Sequence, residues 1–449
     1  MNINKRNIYF IGIGGIGMSA LARYFVAKGS TVAGYDRVSS EITDALQILG
    51  ISIHFNDDIS DIPDHFKNPK ETLVIYTPAI PVDHNELSYF KTHAFQIMKR
   101  SQVLGAITKS TTCLAVAGTH GKTTTTSILG HLLYESNVAV TAFLGGISEN
   151  YNSNLILKGT EVSVVEADEF DRSFLTLFPD LACITSMDAD HLDIYGEKKK
   201  LELSFIDFTK QIKPGGKLFV KNGLPITGIT YGIEDNSDYS ISNIKITDGT
   251  YVFDVKTPKI SIKDVEFNLP GRHNLSNALI ALAMALEYGC PHQQLVKALA
   301  SYQGVKRRFS YQIKTSDLVF IDDYAHHPEE INAIYNTIKE LYPKKESLVI
   351  FQPHLYSRTK DFVDDFGKSL SQFNEVVLLP IYPARELPIP GVTSEWLLGF
   401  VENNNKSVIS KDTIIHKVTN SKAEVIITLG AGDIGQEVES IKKALCYAS

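Results

Sequence analysis

The apolar run Leu114-Ala115-Val116-Ala117 leads directly into Gly118-Thr119-His120-Gly121-Lys122-Thr123-Thr124-Thr125-Thr126. A short strand, a glycine-rich turn, a lysine and a hydroxyl-rich helix start follow one another. That order commits this part of the chain to a strand–turn–helix unit of an α/β sheet. Such a turn cradles nucleotide phosphates, because backbone N–H groups and a helix N-terminus both attract anions. Lys122 is placed to reach the outer phosphates and the Thr123 hydroxyl to hold Mg²⁺. The general pattern has a first glycine where Val116 stands, so the loop is a short form anchored on Gly118 and Gly121. A helix start that is merely rich in threonine caps would not need Gly-Lys-Thr behind a strand.

A chain of 449 residues exceeds what one core supports, so two or three domains are expected. Its net charge of −7 gives no support to a nucleic-acid partner. Lys198-Lys199-Lys200 reads as a solvated face. Cys113, Cys183, Cys290 and Cys446 are scattered without a Cys-x-x-Cys pair, which suits buried thiols in a reducing compartment. The first residues lack the pattern of a secretory signal, and no stretch approaches the roughly 20 apolar residues of a membrane span. A cytoplasmic protein without a membrane partner, monomeric or homodimeric, is the expectation.

The first region opens with a strand over 8–11 that enters Gly12-Ile13-Gly14-Gly15-Ile16-Gly17, followed by a helix over 18–28. A second strand, 31–35, ends at Asp36. This βαβ pattern suits a diphosphate at the helix N-terminus, with Asp36 near a ribose hydroxyl. Gly12, Gly14, Gly15 and Gly17 are therefore candidate substrate contacts. A strand over 73–76 leads into Thr77-Pro78-Ala79-Ile80-Pro81.

Downstream of the phosphate loop, predicted strands over 162–165 and 181–185 run into Glu166-Ala167-Asp168-Glu169 and Asp188-Ala189-Asp190-His191. Hard cations want oxygen ligands, so Glu166 and His191 could converge with Thr123 on a phosphate-bound Mg²⁺. Residues 216–269 look β-rich. Asn274 and Asn277 stand three apart at the start of an Ala/Leu-rich helix, where one can cap the helix and the other read adenine; the spacing decides neither.

The third region alternates strands at 317–322, 347–352, 375–380 and 424–429 with helices at 328–342, 358–372 and 433–446. Each strand ends in a polar loop: Asp322 to Pro328, Gln352 to Thr359, Pro383-Ala384-Arg385-Glu386 and Gly430-Ala431-Gly432-Asp433. One such loop is ordinary solvated surface, but four on one edge of an open sheet suggest a site.

Taken together and in order, these segments closely resemble the Mur ligase family over essentially the whole chain. The most specific motifs are Gly12 to Ser19, Gly118 to Thr125, Glu166 to Glu169, Asp188 to His191, Gly271-Arg272-His273-Asn274, Asp322 to Pro328 and Gln352 to Thr359. The resemblance implies three α/β domains. Residues 1–107 would form a Rossmann-like UDP-sugar domain and 108–310 a P-loop-type ATP domain with a small β-rich part. Residues 311–449 would form a Rossmann-like domain that closes over ATP and the amino acid.

It further implies a ligase of the alanine-adding branch in peptidoglycan precursor synthesis. ATP would activate the carboxylate of UDP-N-acetylmuramate as an acyl phosphate, and L-alanine would displace the phosphate. The salvage branch, which attaches a whole murein peptide, is the alternative. By motif, Lys122 matches the phosphate-binding lysine, with Gly118, Thr119, His120, Gly121, Thr123 and Thr124 around the nucleotide. Thr123 and Glu166 match Mg²⁺ ligands, and His191 the ligand of a second Mg²⁺. Asn274 and Asn277 match adenine-side residues, Arg308 and Asp323 nucleotide contacts.

Two departures bear on the site. No lysine occurs in Leu203-Ser204-Phe205-Ile206-Asp207, where several members carry a carbamylated one, so that modification is not expected. Leu355 stands where many alanine-adding relatives have arginine, which leaves Arg358 and Arg385 as candidates for the substrate carboxylate. His326 or His327 would accept the proton that the alanine ammonium must lose. A dinucleotide-dependent oxidoreductase would explain the first βαβ pattern but not the phosphate loop.

Overall fold

The structure, a computed structural model, describes residues 3, 5–188, 198–247, 249–384 and 386–448. Three sheets organise it. The first is parallel, with strands β1 (Asn7–Ile11), β2 (Thr31–Tyr35), β3 (Ser52–His54), β4 (Thr72–Tyr76) and β5 (Gln96–Lys99) in the order β3-β2-β1-β4-β5. Helices α1 (Ile16–Ala27), α2 (Glu41–Ile48), α3 (Asn85–Thr92) and α4 (Arg100–Ser110) accompany it. The near-continuous apolar runs of β1 and β4 fit a sheet buried on both faces.

The second sheet contains β6 (Thr112–Ala117), β7 (Val140–Ser148), β8 (Ser153–Leu157), β9 (Val162–Ala167), β10 (Leu181–Ile184) and β11 (Lys217–Lys221). It continues through β12 (Ile229–Ile233), β13 (Tyr239–Thr247), β14 (Thr250–Lys256) and β15 (Ser261–Phe267). The order is β15-β14-β13-β12-β11-β10-β6-β9-β7-β8. Parallel β9, β6 and β10 put three strand ends side by side around the phosphate loop. Helices α5 (Lys122–Glu135), α6 (Lys198–Thr209), α7 (Arg272–Tyr288) and α8 (His292–Ser301) belong to this stretch. The expected strand over 162–165 runs on to Ala167, because Glu166 stays in register with Val116 of β6.

By compactness the chain divides into two units. One is Met1–Lys245, Val252–Phe267 and Ser276–Gln303, the other Ile246–Tyr251, Asn268–Leu275 and Gly304–Ser449. The first unit holds the first sheet and most of the second because they share one apolar cluster. Leu21, Tyr24 and Phe25 of α1 join Phe143 and Leu155 of the β7–β8 hairpin in it.

The second unit is built on β16 (Ser310–Lys314), β17 (Val319–Asp323), β18 (Ser347–Phe351), β19 (Glu375–Leu378), β20 (Lys406–Val408) and β21 (Val425–Leu429). Their order is β16-β17-β21-β18-β19-β20, parallel except for the edge strand β16. Parallel pairing brings the C-terminal ends of β17, β21, β18 and β19 to one edge, as the four polar loops imply. Its helices are α9 (Pro328–Leu341), α10 (Tyr356–Asp361), α11 (Val363–Leu370), α12 (Ser394–Leu398), α13 (Ile414–Thr419) and α14 (Val438–Ala448).

Two expected helices differ. The helix over 358–372 is broken at Phe362 (φ −117°, ψ 23°), which seats the Phe362 ring edge-on against His327 at 4.8 Å. The helix over 433–446 begins as a tight 3₁₀ turn, Asp433–Glu437, and becomes α-helical only at Val438. Glycine in that turn is a poor helix former, and a Cβ at Gly435 would come within 2.5 Å of the Arg307 guanidinium. Among the described residues no helix is long and apolar enough to cross a membrane.

Candidate functional site

The phosphate loop is held open from beneath by the end of β10. Thr185 donates its hydroxyl to His120 O at 2.5 Å, and the Ser186 hydroxyl accepts from His120 N at 2.8 Å. Thr119 Oγ1 and Ser186 Oγ lie 2.8 Å apart, and Asp188 N donates to Thr119 Oγ1. Gly118 (φ +134°) has no room for a side chain, since a Cβ would sit 2.1 Å from Thr185 Oγ1. Gly121 (φ +85°) caps α5, and a Cβ there would lie 2.6 Å from Asn277 Oδ1. Thr185 and Ser186 escaped the sequence reading because hydroxyls behind a strand carry no motif of their own.

Lys122 curls back over this loop. Its ammonium donates to Gly118 O at 2.6 Å and lies 2.9–3.0 Å from both carboxylate oxygens of Glu169, a side chain with no solvent exposure. Burial works against the charge, but the adjoining carboxylates of Glu169 and Asp168 outweigh it and hold the ammonium above its ordinary pKa. Thr123 Oγ1 donates to Glu166 Oε2 at 3.0 Å, and Gly145 N donates to Glu166 Oε1 at 2.5 Å. Burial raises the Glu166 pKa despite these donors. A hydroxyl beside a carboxylate, next to a phosphate-binding turn, is a donor set suited to a hard divalent cation such as Mg²⁺. His191 lies outside the described residues. Thr124 is buried in the first turn of α5.

The glycine turn of the first sheet faces the same cavity. Gly12 (φ +85°) donates its N–H to Tyr35 O, and Gly15 caps α1 with no side-chain partner, leaving first-turn amides for an anion. The Asp36 carboxylate accepts from Gly14 N and Arg37 N, both at 2.7 Å, so it braces the turn. Gly15, Gly17 and Thr77 from this side, and Thr123, Gly145, Glu166 and Asp168 from the phosphate-loop side, line one cavity of about 430 Å³. The β7–β8 hairpin fixes that juxtaposition, with Asn154 Nδ2 donating to Ile16 O at 2.6 Å and Ser19 Oγ at 2.8 Å.

In the second unit, the Asp323 carboxylate accepts from Phe309 N (2.5 Å) and Ala325 N (2.7 Å), and burial pushes its pKa up to about 6. Arg308 lies 3.8 Å from Glu330 and 5.2 Å from the Tyr324 ring centre. Its neighbour Arg307, which the sequence did not single out, pairs with Asp322 at 2.9 Å and donates to Gly430 O. His326 Nδ1 lies 2.9 Å from Tyr324 O, an arrangement that puts the lone pair of the neutral ring on Nε2. His327 is buried and caps α9, its Nδ1 accepting from Glu329 N. Arg358 is buried 3.3 Å from His354 Nδ1, and the His354 ring stacks on Tyr382. Leu355, at the N-cap of α10, takes φ +71°, a strained backbone for a residue other than glycine. Asn274, in the first turn of α7, donates through Nδ2 to Pro270 O in the segment just before that helix. Arg385 lies outside the described residues.

A glycine-rich lysine turn with Thr123 hydrogen-bonded to Glu166, sharing a cavity with a second glycine turn and followed in the chain by a third polar-edged α/β sheet, is the layout of an ATP-dependent ligase. Family models match in order. The Mur ligase family catalytic domain covers residues 7–112, the Mur ligase middle domain 116–285, and the Mur ligase glutamate ligase domain 307–432. The chain belongs to the Mur ligase family, whose members form amide bonds at the expense of ATP and use Mg²⁺.

It is 59% identical over 443 residues to a UDP-N-acetylmuramate–L-alanine ligase of Christiangramia forsetii, covering 98% of both chains. It is 60% identical to one of Flavobacterium psychrophilum, covering 99% of both. A UDP-N-acetylmuramate–alanine ligase structure from Thermotoga maritima superposes with a TM-score of 0.82 at 28% identity, over 99% of this chain and 100% of that one. A murein peptide ligase from Psychrobacter arcticus reaches 0.69 at 22% identity, over 98% of each, a likeness of fold alone.

Proposed function

We propose that this protein joins L-alanine to the lactyl carboxylate of UDP-N-acetylmuramate with ATP cleavage, in the cytoplasm, as a step of peptidoglycan precursor synthesis. The observation that carries the reading is the single cavity with a glycine turn at one wall and the Thr123–Glu166 pair at the other. A sugar nucleotide held by the glycine turn can present its carboxylate where ATP presents its γ-phosphate. The whole-length identity of 59–60% to alanine-adding relatives favours this over the salvage reaction.

Carboxylate and triphosphate repel, so their approach needs cations. Lys122 leaves Glu169 for the phosphates and stabilises charge on the transferring group. Thr123 and Glu166 would hold Mg²⁺, which when bound supplies further charge neutralisation; His191 is the candidate for a second ion. His120, Gly118 and Thr119 offer backbone to the phosphates, and Asn274, Asn277, Arg308 and Asp323 are assigned to the rest of the nucleotide. Once the carboxylate is an acyl phosphate, the alanine amine attacks the acyl carbon and phosphate leaves. His326, with its lone pair on Nε2, takes the ammonium proton; Arg358 and Arg385 are candidates for the amino-acid carboxylate.

The test is ADP release by the purified protein with Mg²⁺. Release should require both UDP-N-acetylmuramate and L-alanine. Release with a murein tripeptide but not with L-alanine would reassign the enzyme to salvage.

A further inference from the structure

Arg100 opens α4 immediately after β5, and its side chain forms part of the wall of the 430 Å³ cavity. It is half-buried. Among the described residues it has no hydrogen-bond or ion-pair partner, although Glu166 and Asp168 line the same cavity. Glu166 is already engaged by Thr123 and Gly145. The guanidinium lies over the first turn of α1. A Cβ at Gly17 would come within 2.8 Å of Arg100 Nη1 and 3.2 Å of its Cδ. Glycine at 17 therefore clears the place that Arg100 occupies.

The surroundings give that charge little in return. Leu21, Leu104 and Phe143 are its apolar neighbours in the lining. A guanidinium drawn out of water among such groups is unfavourable unless an anion meets it. Its planar fork suits phosphate and carboxylate oxygens, which it grips through two parallel N–H···O bonds.

We propose that Arg100 is a substrate-binding residue that clamps an anionic group of the sugar nucleotide, its diphosphate or its lactyl carboxylate, between the glycine turn and the Thr123–Glu166 pair. The inference rests on the reaction proposed above. It also gives Gly17 a task distinct from the other glycines of its turn. Gly17 admits the guanidinium, while Gly12, at φ +85°, lets the backbone turn.

Calorimetric titration without ATP tests it, using UDP-N-acetylmuramate and the carboxylate-free UDP-N-acetylglucosamine as probes. Arg100→Gln should weaken UDP-N-acetylmuramate about 10–100-fold, the worth of a charge-assisted contact, and Arg100→Lys should recover part of the loss. Gly17→Ala, which displaces the guanidinium, should reproduce the Gln result. Binding of MgADP should be unchanged in all three variants, which shows an intact phosphate loop. A loss shared by both sugar nucleotides assigns the clamp to the diphosphate. A loss confined to the muramate assigns it to the carboxylate. Wild-type affinity of the Arg100 variants for UDP-N-acetylmuramate would overturn the inference. Failure of the wild-type protein to bind that nucleotide would instead overturn the reaction itself, and the clamp with it.

Discussion

Replacing Lys122 by Met removes the ammonium that stands 2.9 Å from the fully buried Glu169 carboxylate. At an effective dielectric near 20, attraction at that separation is about 6 kcal/mol before the desolvation of either ion. Removing one partner of a buried pair costs about 3–5 kcal/mol.

Lys122→Met should therefore lose about 3–5 kcal/mol of stability. Adding Glu169→Gln removes the buried charge and should return about 2 kcal/mol or more. ATP turnover should be absent in both, since neither restores a cation at the γ-phosphate. Urea unfolding followed by circular dichroism, hydrogen exchange on peptides covering β6 and α5, and coupled ADP release read these quantities. A double variant no more stable than Lys122→Met would refute the ion-pair reasoning. Robust turnover in either would sink the phosphate assignment of Lys122.

Asp323, raised to about 6 by burial, binds a proton in the folded state that the unfolded chain has released above about pH 4. Its contribution to stability should thus fall as pH rises from about 4 to 6, by about 3 kcal/mol. Asp323→Asn should flatten that part of the urea-midpoint profile, and an unaltered profile would contradict the burial assignment. The paired histidines should separate. His327→Ala should cost about 1 kcal/mol through the lost cap of α9 while leaving most of the rate. His326→Ala should lower the rate about 10²-fold or more with the fold intact; a larger rate loss at His327 would exchange their roles.

Much of this was legible in the chain because backbone chemistry is local. Gly118 and Gly121 need conformations that side chains disfavour, Lys122 and Thr123 open a helix, and apolar strands precede each polar loop. Those patterns located three α/β regions and the phosphate loop. The β7–β8 hairpin, the antiparallel edge strand β16 and the break at Phe362 were not legible. Each is decided by what an element packs against: α1 for the hairpin, β17 for the edge strand, His327 for the ring of Phe362.

The same division runs through the site. The sequence by itself determined which residues can carry charge, hold a cation or turn the backbone, since those capacities belong to side chains and to glycine. Only the tertiary structure decided their pairings. Glu169 became the resting partner of Lys122, Asp36 the brace of Gly14, Asn154 the link from the β7–β8 hairpin to α1, and Arg100, among the described residues, a cation without a hydrogen-bond or ion-pair partner in the cavity. Distances of about 3 Å between residues tens of positions apart are set by sheet order and by a shared core, and no local pattern records either.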